Sequence, residues 1–126
     1  MNHWNLGTVE LQPQQPRILT TTSEGRAIAL HLRAGEELQE HQVHERAWLV
    51  VAHGEVDVST SDGARVSGHP GFLFEFSPQE RHTVLARSDA RLLLLLTPWP
   101  GDGHPGTMTL EQKHAARARA AERAQG

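Results

Sequence analysis

The chain has no cysteine. That excludes disulfide frameworks, zinc held by thiolates and thiol nucleophiles, so any metal must be held by nitrogen and oxygen. Lysine is nearly absent as well: eleven of the twelve basic residues are Arg, and only Lys113 is Lys. With a formal net charge of −3 there is no basic field to draw in nucleic acid. In a chain this rich in Ala and Gly, the arginines are read as genome base composition rather than as phosphate ligands. Apolar runs such as Leu92 to Leu96 are far too short to span a bilayer. No basic-plus-apolar leader opens the sequence, so a cytoplasmic location is expected. There is no Ser-His-Asp order, no Gly-rich phosphate loop and no helix with zinc-protease spacing.

What the chain has in surplus is histidine, nine in 126 residues. The length suits one domain with a real core. Histidine titrates near physiological pH and is the commonest metal ligand, so its placement matters. His3, His69, His104 and His114 fall in segments that read as termini or loops. His41 and His44 stand near the start of one expected strand, and His82 follows about forty residues later, just after Ser77-Pro78.

A two-residue apolar period runs through residue 97. Ile28, Leu30 and Leu32 alternate with Ala27, Ala29 and His31; Val56 and Val58 with Asp57; Phe72, Phe74 and Phe76 with Leu73 and Glu75; Val84 and Ala86 follow His82 at the same spacing. This is the pattern of strands with one buried face. Trp48–Ala52 and Leu92–Leu96, apolar on both faces, suit central strands. Asp62-Gly63 between Val58 and Val66 marks a hairpin. Eight or nine strands at roughly ten-residue spacing, with no helix between them, predict an antiparallel barrel or sandwich. Residues 4–11 and 16–22 are expected as N-terminal strands. After the Pro/Gly-rich stretch Pro98–Gly106 the pattern changes. Thr109 and Gln112 read as a capping box opening a helix over Leu110–Ala124, whose only large apolar residue is Leu110. Residues 1–100 thus form the barrel, and 101–126 a linker and an exposed α-helix.

The order of Gly35, His41, Gly54, Gly71, Pro78 and His82 resembles the two sequence motifs of the cupin superfamily, over about residues 26–97. The first motif is Gly, five residues, His-x-His, three or four residues, Glu, six residues and Gly. The second is Gly, five residues, Pro-x-Gly, two residues and His. The resemblance implies an all-β fold, the double-stranded β-helix or jelly-roll barrel, in a small single-domain protein. It also implies a homodimer, since relatives of this kind pair through sheet edges and an open sandwich leaves edges exposed.

The departures bear on function. Alignment on His41 and Gly54 puts Val43 at the second His of the first motif and Ala47 at its Glu. Ser77 and Gln79 stand at the Pro and Gly of the second. Only His41 and His82 fall on ligand positions, so the three-His-one-Glu set is not carried over. His44 and Glu45 lie beside the lost positions. On a regular strand, residues three apart face opposite ways, so His41 and His44 share a metal only across a bulge or turn.

Two readings therefore stand. In one, a His-lined barrel pocket binds a small molecule as a sensor or carrier, with no organic cofactor. In the other, the chain is a metal-dependent enzyme of dioxygenase or isomerase type acting on a small metabolite. It would hold one divalent transition metal through His41, His44 and His82, with Glu45 or Glu75 as a carboxylate. Trp48, Glu45, Glu75 and His53 are further pocket candidates. If the three phenylalanines face inward, Glu75 points to water; in the other orientation it enters the pocket. No catalytic residue can be named, and neither nucleic acid nor membrane is an expected partner.

Overall fold

The structure, a computed structural model, describes residues 1–41 and 45–97, with the backbone alone for Gln39, Glu40 and His41. His44, the Pro/Gly-rich stretch and the expected C-terminal helix lie outside the described residues. Among those described there are nine strands. They are β1 (Arg17–Thr22), β2 (Gly25–Leu32), β3 (Glu37–His41), β4 (Arg46–His53), β5 (Val56–Thr60), β6 (Arg65–Gly68), β7 (Leu73–Phe76), β8 (His82–Ala86) and β9 (Ala90–Thr97). No described helix is long and apolar enough to cross a membrane.

The strands form two antiparallel sheets, one in the order β1-β2-β9-β4-β7 and one in the order β3-β8-β5-β6. Alternation sorts the side chains as the sequence pattern predicts. Leu30, Leu32, Leu49, Val51, Phe76 and Leu92 of the first sheet meet Val56, Val58, Val84 and Ala86 of the second in one core. The two doubly apolar runs, β4 and β9, pair centrally in the first sheet. The Asp62-Gly63 turn joins β5 to β6, with Gly63 at φ 94°.

One turn fixes the approach of the chain after β4. Gly54 has φ 80°, and a Cβ built there would collide with the carbonyl oxygen of Asp89. No other residue tolerates both the backbone angle and that closeness. The loop before β9 therefore packs directly on the end of β4.

The N-terminus differs from expectation. Residues 17–22 form a strand, but residues 4–11 do not. Asn5 closes a local turn: its Oδ1 accepts from the Gly7 N–H at 2.9 Å, and its carbonyl accepts from Thr8 and Val9. A side chain that bonds its own neighbourhood competes with ladder formation. The turn is tied to the barrel by Arg91, whose Nη1 donates to the carbonyls of Leu6 and Val9 at 3.0 and 2.8 Å.

Candidate functional site

Among the described residues, two polar side chains are buried: His82 and Asp57. Their surroundings differ in kind.

His82 opens β8 and is 2% exposed. The chain leaves β7 at Phe76 and turns back through Ser77–Arg81. Glu80 N–H donates to the Ser77 carbonyl, and Ser77 N–H to the Glu80 carboxylate, each at 3.0 Å. Gln79, at the second motif's Gly position, has φ 68°. The backbone thus keeps the left-handed angle that glycine adopts without strain. This turn lays His82 flat on Phe76, with ring centroids 3.8 Å apart and planes 6° from parallel. Phe76 lies opposite Ala47 in the β4–β7 register. The small residue at the first motif's Glu position is therefore paired with the ring that covers the imidazole.

The second contact sets the ring's proton. His82 Nδ1 lies 3.2 Å from the Glu80 carbonyl oxygen. A carbonyl only accepts, so Nδ1 donates, and in the neutral ring Nε2 is the acceptor.

His82 lines a cavity of about 220 Å³ between the two sheets. Ile28, Leu30, Leu49 and Leu92 wall it from the five-stranded sheet, and Leu38 and Val84 from the other. His82 is the one polar side chain among its described lining residues. The described lining is otherwise aliphatic but for Pro16. Such a lining suits a small, largely apolar molecule.

Asp57 sits on the neighbouring strand β5 with its side chain on the opposite face of that sheet. Ser67 Oγ donates to its Oδ1 at 2.6 Å, and Arg65 Nη2 to its Oδ2 at 2.9 Å; Arg87 Nη1 lies 3.3 Å from the same oxygen. The Ser67 hydroxyl, then the two guanidiniums, hold this carboxyl below the usual aspartate range. Its bonding is spent on joining β5, β6 and the residue after β8.

Trp48, Glu45, Glu75 and His53 do not line the cavity. Phe72, Phe74 and Phe76 pack on the core, so Glu75 faces outward and pairs with Arg46 at 3.2 Å. Trp48, opposite Glu75 and Leu95 in the ladders, lies outside too, in an open groove of about 400 Å³ with Thr20, Arg26 and Leu95. Leu49 and Val51 take the inward positions of β4, which leaves Trp48 no inward place. His53 is exposed at the end of β4, and Glu45 is a half-buried bend residue just before that strand. The backbone register places His41 opposite His82; the side chains of His41 and His44 lie outside the described residues. Sequence reasoning did not single out the aliphatic walls or the Phe76 stack, though the alternation of Ile28 with Leu30 marks the former as inward. Asp57, set between two buried valines, carried no motif.

No model of a known protein family matches the chain, and no curated protein sequence does. Solved structures do. A cupin superfamily protein from Desulfitobacterium hafniense superposes with TM-score 0.67 at 12% identity, over 75% of this chain and 87% of that one. An RmlC-like cupin from Desulfovibrio desulfuricans gives 0.67 at 20% identity, over 78% and 96%. The chain has the cupin fold. An uncharacterized protein with a double-stranded β-helix domain from Klebsiella pneumoniae is similar as well, at TM-score 0.67 and 15% identity over 78% and 90%. Likeness at these identities is of architecture, and function must be argued from the site.

Cupin resemblance implies a metal, so the donors present matter. Zinc and iron sites take three or more protein ligands. Among the described residues no group of three His, Asp or Glu converges. His82 supplies one imidazole, and Ala47 is buried with a methyl group where a carboxylate is implied. The described side chains do not by themselves make a metal site.

Proposed function

We propose that this cupin barrel binds a small, largely apolar molecule between its sheets and serves as a carrier or sensor rather than a metalloenzyme. The observation that carries the reading is the cavity of about 220 Å³ walled by aliphatic side chains, with His82 as its polar point. An engineered apolar cavity of about 150 Å³ is enough to take up benzene. Benzene is therefore the first probe. Its binding raises the Tm of the full chain progressively with concentration, because a ligand that binds only the folded state stabilises it by mass action. A Tm that stays flat up to the solubility limit of benzene removes the proposal.

A metal-dependent enzyme is the second reading, favoured by the register of His41 against His82 and by the Nδ1 contact, since ligating imidazoles commonly donate their other N–H to a backbone carbonyl. Elemental analysis of tag-free protein decides it. Less than about a tenth of a metal atom per chain ends that reading. Pairing of two copies belongs to the first proposal too, because β1 is an edge of the five-stranded sheet and an unpaired edge is a template for another strand. Sedimentation equilibrium checks it, and a monomer throughout the accessible concentration range ends it.

A further inference from the structure

We infer that Pro16 marks the mouth of the cavity, and that the turn Gln12–Pro16 gates the entry of small apolar molecules. The inference rests on the reading of the barrel as a binding cavity and adds the route by which that cavity is reached.

Three observations place the mouth. Pro16 is the one exposed residue among the cavity's described lining; Ile28, Leu38 and Leu94 are half-buried and the rest are buried. The β1–β2 register sets Ile18 opposite Ile28 and Arg17 opposite Ala29. Pro16 therefore falls beside Leu30, on the face that looks into the barrel. Ile18 shares that face and is 55% exposed, so the inner side of the edge strand β1 meets solvent here.

A gate also needs a segment that can part from the barrel while the rest stays folded. Proline has no N–H, so the β1–β2 ladder ends at Arg17 and does not continue into the turn. Three separate bonds hold the turn instead. Gln14 N–H donates to the His31 carbonyl at 2.8 Å, and Gln15 N–H to the Gln12 carbonyl at 3.1 Å. Arg17 Nη1 donates to the Glu10 carbonyl at 2.9 Å. Gln14 has φ 63°, a left-handed angle that strains a glutamine. Opening the turn releases that strain, breaks those bonds and leaves the paired strands intact. Pro16 then sets how fast a molecule enters and leaves, whereas the aliphatic walls set how well it is held.

Because the chain has no cysteine, an introduced one is its sole thiol. Val84 and Ala86 are both buried on the inward face of β8, but of the two Val84 alone lines the cavity. Val84→Cys therefore reports access to the cavity, and Ala86→Cys reports opening of the core as a whole. Each is reacted in the full chain with methyl methanethiosulfonate, a small neutral reagent. Adding Pro16→Gly is expected to speed labelling at position 84 about fivefold and to leave position 86 unchanged. Arg17→Ala, which frees the tie to Glu10, is expected to act the same way to a smaller extent. It decides the matter should Pro16→Gly not fold. Equal acceleration at both positions means general destabilisation, and no acceleration at position 84 means another entrance; either overturns the gate. Saturating benzene should slow labelling at position 84 by filling the cavity. Labelling that benzene does not slow, with the Pro16 effect intact, overturns the binding reading and leaves the mouth in place.

Discussion

Asp57 and His82 are buried to similar extents on adjacent strands of one sheet, yet they face opposite ways and keep different company. Asp57, on the outer face, is surrounded by a hydroxyl and two guanidiniums that match a carboxylate. His82, on the inner face, meets a phenyl ring, a backbone carbonyl and an aliphatic cavity. A buried polar group whose neighbours complement its charge holds strands together. One that borders an apolar space is placed to meet something that enters it. Burial alone would have ranked the two together; the chemistry around them separates structure from function.

The largest effect expected from breaking this contrast is at Asp57. Asp57→Asn removes the charge that two arginines share and should lower Tm by more than about 5 °C, while benzene affinity at a temperature where the variant is folded stays unchanged. The same residue sets an acid dependence. A carboxyl held below its ordinary pKa binds fewer protons folded than unfolded, so its contribution is complete above about pH 4 and declines as pH falls further. The acid limb of a Tm–pH curve should therefore be shallower in the Asn variant. A parallel limb would mean that other carboxyls dominate.

Phe76→Leu comes next. It removes the stack on His82 and part of a core side chain, at a cost of about 1–2 kcal/mol by urea denaturation. A stability unchanged by the substitution would show that the stack contributes nothing to the fold. For His82→Leu the stability change should stay within about 1 kcal/mol, since an apolar side chain replaces a polar one in apolar surroundings. A loss as large as that of Asp57→Asn would place His82 among the structural groups and dissolve the comparison. The smallest effect is at Gln79, where Gly should raise stability by up to about 1 kcal/mol by relieving the left-handed backbone, with no change in binding.

Much of the barrel was legible in the sequence. Alternation at Ile28, Leu30 and Leu32 and at Phe72, Phe74 and Phe76 marks one buried face on each strand, but it leaves Glu75 open between two orientations, and the packing of the three phenylalanines on the core places it outside. Asp62-Gly63 marks its hairpin because few residue pairs adopt that turn. The turn at Asn5–Val9 was misread because Trp4 and Leu6 imitate a strand period, whereas Asn5 bonds its own neighbours. The site was less legible. The cavity volume depends on how side chains from both sheets fail to meet, which no local pattern records. The Phe76–His82 stack arises from a turn whose Gln79 departs from the expected glycine while keeping its backbone angle. Asp57 draws its partners from Arg65, Ser67 and Arg87, which only the sheet register brings together.

The central claim is that His82 is a pre-oriented polar point in a ligand cavity, and nitrogen-15 NMR of histidine-labelled full-length protein tests it most directly, with His82→Leu supplying the assignment. The structure predicts an Nδ1 that donates to the Glu80 carbonyl, and titration with benzene should shift the His82 ring resonances progressively, because that ring lines the cavity. His82 ring resonances that benzene leaves unmoved up to its solubility limit, or an imidazole already carrying a metal in protein as purified, would contradict the account.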